Sequence, residues 1–161
     1  HLVLTTLSKQ RANMGILYSP VQMAADLVEN YEGEDAVAFI ERVPADWAES
    51  HVLNARIGEH ITIARRTADG EEWYVGTTTN ATARTLDIPL DFLNDGQTYV
   101  AHVFEDTPTS DYEDDPHAYR IRRGLVTASD TIDADLAQSG GQAVILEPAT
   151  EGNEERYEAL E

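Results

Sequence analysis

Three side chains able to bind a hydroxyl-rich ligand lie close together after one short apolar run. The run covers residues 21–26 and ends in Asp26, and Asn30 and Tyr31 follow it. A carboxylate and an amide can each pair with neighbouring hydroxyl groups, and a tyrosine ring offers a face for stacking. If the run is the last strand of a (β/α)₈ barrel, its C-terminal end brings these groups to the binding face. In the alternative interpretation, Asp26 caps the following turn and Tyr31 fills the barrel rim.

Other chemistry-bearing residues give weaker signals. The acidic segment 105–115 has enough oxygen ligands for calcium but lacks the regular spacing of a calcium loop, so a solvated loop is the competing interpretation. Trp73 and Tyr74 suit either a sugar-stacking platform or the buried face of a sheet. The five histidines include no pair at the spacing of a helical zinc site. The chain itself is therefore predicted to carry neither catalytic nor metal-ligating residues.

The segments that would position Asp26, Asn30 and Tyr31 alternate between helix and strand. Apolar residues at helical spacing predict a helix over residues 4–18, which Pro20 ends. The run at 21–26 reads as a strand covered on both faces. A second amphipathic helix is expected over 36–43, before Pro44. Helix, buried strand and helix in this order are typical of a parallel barrel.

Beyond about Trp47 the pattern changes to short alternating runs separated by turns. Seven or eight strands are expected, with Ile61 and Ile63 on one face of the first. The others are expected at 73–75, 86–90, 99–104, 119–123, 132–136 and 143–146. The fold class is therefore predicted as mainly β: an antiparallel β-sandwich preceded by a helix–strand–helix remnant of a (β/α)₈ barrel. The expected divisions are 1–46 for the barrel end, 47–148 for the sandwich and 149–161 for an acidic, frayed tail.

Composition narrows the classes of partner. The 161 residues carry 30 acidic against 11 basic side chains, a formal net charge of −19, which argues against nucleic acid. Such an acidic chain, poor in lysine, also suggests a salt-adapted source. No apolar run reaches the roughly 20 residues of a membrane span, so no membrane partner is expected. The chain opens at His1 without a signal sequence, which suggests a fragment whose start lies elsewhere.

Two stretches carry a family resemblance when taken in order. The first spans residues 18–31, and the second comprises 58–66, 73–76, 86–93 and 140–143. Together they resemble glycoside hydrolase family 97, bacterial enzymes that cleave α-glucosides or α-galactosides. The resemblance implies that this chain is a C-terminal fragment: the end of the catalytic barrel and the smaller sandwich that closes it. It implies carboxylate catalysts and a calcium ion held by carboxylates upstream of His1.

The expected function is that of an inactive, accessory portion of an α-glycoside-cleaving enzyme. Asp26, Asn30 and Tyr31 are its predicted substrate-binding residues. The expected partners are an α-linked oligosaccharide, bound through the parent enzyme, and the missing catalytic barrel, against which the sandwich would pack. A periplasmic or extracellular bacterial location is expected. The alternative is a stand-alone carbohydrate-binding module, which requires aromatic rings exposed in a line on one surface.

Overall fold

Three helices and eight strands make up the part of the chain that the structure describes. The computed structural model describes residues 4–19, 21, 37–68 and 70–160. The helices are α1 (Leu7–Ile16), α2 (Val37–Arg42) and α3 (Glu151–Arg156). The strands are β1 (Trp47–Arg56), β2 (His60–Thr67), β3 (Trp73–Thr79), β4 (Arg84–Pro89), β5 (Tyr99–Glu105), β6 (Arg120–Val126), β7 (Thr131–Leu136) and β8 (Gly141–Pro148).

The strands form two antiparallel sheets that pack face to face. The larger sheet has six strands in the order β1-β2-β3-β8-β5-β6, and the smaller pairs β4 with β7. Apolar residues of both sheets fill one shared core, including Val75, Ile88, Tyr99, Ile132 and Val144. The predicted β-sandwich is confirmed, and its first strand begins at Trp47.

The small sheet shows why its strands could be predicted from sequence. Ile132, Ala134 and Leu136 of β7 are buried, whereas Asp133 and Asp135 are exposed. Successive side chains of a strand point to opposite faces, so one face packs against the core and the other meets water. Pro89 ends β4 in this two-stranded sheet, where a missing N–H donor is tolerated.

Helix α1 adds a third layer on the outer face of the large sheet. It begins after Thr6, whose side chain accepts a hydrogen bond from the Lys9 N–H at 3.3 Å. Ala12 packs into a second apolar cluster with Phe39 of α2 and with Tyr74, Phe104 and other residues of the sheet's outer face. The central strand β3 of the large sheet is therefore covered on both faces.

Three sequence-based expectations differ from the structure. The predicted helix 4–18 is shorter, since Thr6 caps its start and Leu17 is already extended. Strand β1 precedes the strand expected to be first, and its mostly exposed residues gave no apolar alternation. The tail is not frayed: α3 forms within it, and a parallel bridge joins Leu125 to Ala159. Of the predicted strand at 21–26, residues 22–26 lie outside the described residues.

Candidate functional site

The three predicted substrate-binding residues, Asp26, Asn30 and Tyr31, lie outside the described residues. Their role therefore stays a prediction. The described residues immediately before them are Ser19 and Val21, and Val21 is exposed. The candidate site that can be built from the structure is the junction between α1 and the sandwich.

The aromatic residues that would form a sugar-stacking surface are turned into the protein. Trp73, Tyr74 and Tyr99 are each no more than 3% exposed. Tyr119 is half-buried beneath the Arg11 guanidinium, whose carbon lies 4.3 Å from the ring centroid. The structure thus confirms core packing for Trp73 and Tyr74, and the stand-alone binding module loses its main support.

The start of the acidic segment 105–115 is buried rather than solvated. Glu105 accepts hydrogen bonds from Arg120 Nε at 2.5 Å and Arg122 Nε at 2.7 Å, and from the Gln142 amide at 3.0 Å. Asp111, in contrast, is at the surface and accepts from the backbone N–H groups of its own turn. Among the described residues, no group of three or more His, Asp or Glu side chains could hold a metal ion.

Asp106 joins the sandwich to the start of α1. Its Oδ2 accepts from the backbone N–H groups of Ala137 at 3.1 Å and Gly141 at 3.0 Å. The Thr6 N–H, which leads into α1, donates to the Ser139 carbonyl of the same loop at 3.2 Å. Burial raises the pKa of Asp106, although the two backbone donors oppose this shift. This loop therefore fixes the start of the helix against the sheet.

Lys9 and Arg65 add polar contacts along the same helix. Lys9 Nζ donates to the Thr79 carbonyl at 2.6 Å, and burial lowers the pKa of this amine. At the other end, Arg65 of β2 donates to the Ile16 carbonyl at 3.0 Å, which is one of the carbonyls that the end of a helix leaves without a partner. Both ends of α1 are thus tied to the sandwich.

Helix α2 is attached to the sheet through Arg42. Its guanidinium donates to Glu147 at 2.7 Å and Glu72 at 3.1 Å, and its carbonyl accepts from the Tyr74 hydroxyl at 2.9 Å. Burial alone would raise the pKa of Glu147, but hydrogen bonds from His102 and Arg42 outweigh it and lower the pKa. Burial, reinforced by the charge of Glu72, raises the pKa of Tyr74. His102 of β5 is hydrogen-bonded within the sheet, since its Nε2 lies 3.0 Å from Glu147 Oε1.

Large apolar side chains remain exposed near both ends of α1. Leu4, Leu17, Tyr18 and Val21 are each 59–69% exposed. Leu4 precedes the helix, and the other three follow it. None of the described helices is both long and apolar enough to cross a membrane.

Comparison with known proteins agrees with this architecture. A family model described as "Glycosyl-hydrolase 97 C-terminal, oligomerisation" matches residues 46–147. A retaining α-galactosidase of Bacteroides thetaiotaomicron is 39% identical over 102 residues, which are 63% of this chain and 15% of that protein. A probable retaining α-galactosidase of Streptomyces bingchenggensis is 31% identical over 134 residues, covering 82% and 19%.

Solved structures extend the similarity to the fold. A glycoside hydrolase family 97 enzyme of Pseudoalteromonas sp. strain K8, solved in complex with acarbose, superposes with a TM-score of 0.88 at 40% identity. The match covers 91% of this chain and 23% of that one. The chain thus spans less than a quarter of the length of these relatives. The family model describes the C-terminal region of these enzymes and matches residues 46–147 of this chain. The chain therefore belongs to glycoside hydrolase family 97.

Proposed function

We propose that this chain closes the catalytic barrel of an enzyme that hydrolyses α-glycosidic bonds. The observation that carries the proposal is that α1 is fixed at both ends to a family 97 sandwich. Large apolar side chains are exposed just before it (Leu4) and just after it (Leu17, Tyr18 and Val21), and these would form an apolar surface beside the helix. A barrel packed on this surface would be held in one orientation by the polar contacts of Asp106 and Arg65. The sandwich would then act as a rigid support rather than as a catalyst.

Three finer assignments are parts of the same proposal. The similar curated proteins are α-galactosidases, and the similar solved enzyme was studied with acarbose and, as a variant, with panose, so α-galactosides and α-glucosides are both candidate substrates. Asp26, Asn30 and Tyr31 would contribute to the sugar pocket at the barrel's binding face. Calcium would belong to carboxylates upstream of this chain. The acidic segment 105–115 of this chain does not suit calcium, because Glu105 forms ion pairs with Arg120 and Arg122.

We also propose where the enzyme works. A periplasmic or extracellular location suits an enzyme that meets oligosaccharides outside the cytoplasm. The net charge of −19 would keep such a protein soluble where salt screens the repulsion between its acidic groups. Solubility that rises with added salt would support this adaptation.

Hydrolysis measurements test the main proposal directly. The 161-residue chain and the longer enzyme that contains it would each be incubated with a chromogenic α-galactoside and a chromogenic α-glucoside. We expect turnover by the longer enzyme only. Replacing Leu17 and Tyr18 with aspartate in the longer enzyme should lower its thermal stability, since the variant buries charge at the barrel contact. Turnover by the short chain alone would overturn the proposal.

Self-association is a second proposed function. The matching family description names oligomerisation, and edge strand β1 of the large sheet is ten residues long and largely exposed. A long open edge presents unpaired N–H and C=O groups on which another strand can form. We therefore expect the chain, and the enzyme that contains it, to form a dimer. Sedimentation velocity over a range of concentrations would test this, and a single monomeric species throughout would contradict it.

A further inference from the structure

The two outer edges of the large sheet differ in their protection. The β6 edge is partly covered by the C-terminal segment: Leu125 N–H donates to the Glu158 carbonyl at 2.7 Å, and Leu160 N–H donates back to the Leu125 carbonyl at 3.0 Å. In the part of the chain that the structure describes, no strand pairs with the outer side of β1. A second strand therefore has access to β1 but meets a partly occupied edge at β6.

The charge around β1 differs from that of the whole protein. The β1–β2 hairpin, residues 47–67, carries three arginines and two glutamates, a net charge of 3 − 2 = +1 in a chain of −19. The small sheet, in contrast, exposes Asp87, Asp133 and Asp135. Two copies of so acidic a protein repel each other over most of their surface. At the β1–β2 hairpin, two copies can approach without this electrostatic repulsion.

A bulge in β1 arranges its charged residues on one face. Seven positions separate Glu49 from Arg56, which would put the two side chains on opposite faces of a regular strand. The register with β2 shifts between Val52 and Asn54, so Glu49 pairs with Arg66 and Arg56 pairs with His60. Arg66 and His60 are an even number of residues apart on β2 and share a face. Glu49 and Arg56 therefore also share a face.

We propose that β1 pairs with β1 of a second copy, antiparallel, about a two-fold axis that is perpendicular to the sheet and passes beside the bulge at Val52 and Leu53. This inference rests on the proposed self-association and names its surface. In this register Glu49 lies opposite Arg56 of the partner subunit, and His51 lies opposite Asn54 of the partner subunit. The two-fold axis repeats each contact, and the two large sheets become one continuous sheet.

Apolar groups left exposed in the single chain find partners in this arrangement. Val52 is 63% exposed, and Ile57, just past the end of β1, is fully exposed. In the proposed register the Val52 side chains of the two copies lie on the same face beside the axis, and Ile57 lies opposite Ala48 of the partner subunit. Leu53 faces the other way and packs against the core of its own chain. Backbone pairing and these contacts would supply the affinity. The Glu49–Arg56 pairs would select the register, because exposed ion pairs add little affinity but like charges are rejected.

The β1–β1 pairing can be tested with charge-reversal variants and with a lysine placed on the edge strand. Sedimentation velocity would measure their dimerisation, both in the 161-residue chain and in the longer enzyme. Glu49→Arg and Arg56→Glu should each weaken the dimer about tenfold, since two symmetric contacts turn repulsive at about 0.7 kcal/mol each. The double variant should recover dimerisation. Val52→Lys should weaken the dimer at least as much, because lysine on an edge opposes strand addition. Thr131→Lys, which changes an exposed residue of β7, is the control and should have no effect.

Cysteine crosslinking tests the register without relying on charge. The chain contains no cysteine. Ser50 and Ala55 are exposed and would lie opposite each other across the axis. Copies carrying Ser50→Cys, mixed with copies carrying Ala55→Cys, should form a mixed disulfide on mild oxidation. Ala48→Cys mixed with Ala55→Cys is out of register by two residues and should crosslink much less.

The outcomes separate this inference from the self-association on which it rests. A monomer at every concentration would overturn both. A dimer unchanged by Val52→Lys and by both charge reversals, but lost in Leu17→Asp, would overturn the β1 inference and place the contact on the apolar surface beside α1. Equal crosslinking of the matched and offset cysteine pairs would overturn the register. Unfolding midpoints equal to that of the unmodified chain would show that the variants remain folded.

Discussion

The carbonyl oxygen of Ala12 lies directly over Gly76, so close that a Cβ built on Gly76 would come within 2.5 Å of it. Helix α1 therefore rests on the backbone of β3, at a distance that only glycine permits. Gly141 of β8 plays the same part under Lys9, where a Cβ would lie 2.6 Å from the Lys9 Cα. These two glycines set the spacing between α1 and the sandwich.

We predict that Gly76→Ala lowers the free energy of unfolding by about 1–3 kcal/mol, because the added methyl group forces α1 away from the sheet. Urea unfolding would measure the change. Gly152→Ala in α3 is the control, since nothing lies within 4 Å of its added Cβ and alanine favours helix by up to about 1 kcal/mol. Equal stability of the Gly76→Ala variant would show that the helix does not need this close approach.

The sandwich was predictable because its strands obey a simple period. In β7, buried Ile132 and Leu136 alternate with exposed Asp133 and Asp135, so one face could be assigned from sequence. Strand β1 was not predictable in this way. Its residues are mostly exposed, and the bulge at Val52 and Asn54 breaks the alternation. Because few side chains of β1 are buried on either face, its residue types carry little hydrophobic signal.

The junction was harder to predict than the sheets. The sequence places Asp106 in a segment that resembles a solvated acidic loop. In the structure it is 3% exposed and accepts hydrogen bonds from the backbone N–H groups of Ala137 and Gly141, which lie 31 and 35 positions later in the chain. Only the folded chain brings those donors to it. The Gly140–Gly141 pair could have indicated a close contact at this position, because glycine lets the backbone approach a side chain closely.

A second prediction concerns pH and Asp106. Burial raises the folded-state pKa of this carboxyl above its ordinary value of 3.8, so the native chain binds more protons than the unfolded chain between the two values. The contribution of Asp106 to stability is therefore present below pH 3.8 and is lost as pH rises through its folded pKa. Asp106→Asn cannot titrate and retains an acceptor oxygen. The difference in unfolding free energy between the original chain and this variant should fall as pH increases.

Urea titrations at a series of pH values would measure that difference. Asp106→Ala separates charge from hydrogen bonding, because it leaves the N–H groups of Ala137 and Gly141 without their acceptor. It should cost about 1–3 kcal/mol for each buried donor at every pH. Parallel pH profiles for the original chain and Asp106→Asn would contradict the assigned shift.

Glu147 should give a pH dependence of the opposite sign. Its hydrogen bonds with His102 and Arg42 hold its pKa below the ordinary value of 4.5. The stabilisation from this carboxylate is therefore present above pH 4.5 and lost as pH falls through the lower folded pKa. Glu147→Gln should be less stable than the original chain at neutral pH, and the two should converge on acidification. A constant difference across the pH range would show that the charge of Glu147 is not involved.

The C-terminal segment provides the last prediction, since the structure assigns it a protective role. Leu160 packs against the main core, and a Cβ built on Gly124 would lie 2.6 Å from the Leu160 Cα. Removing residues 149–161 should cost about 1–3 kcal/mol of stability through the lost apolar contact. It should also leave Leu125 unpaired at the β6 edge. The shortened chain would then have two open edges and should form assemblies larger than a dimer.

Unfolding midpoints and light scattering of the shortened chain would measure both effects. Leu160→Ala in the complete chain is the matched control, because it removes the apolar contact but keeps the backbone hydrogen bonds to Leu125. That variant should lose stability without forming larger assemblies. If the shortened chain were as stable and as little associated as the complete one, the segment would behave as the frayed tail that its sequence suggests. Larger assemblies in the shortened chain alone would show that the segment protects the edge through its backbone.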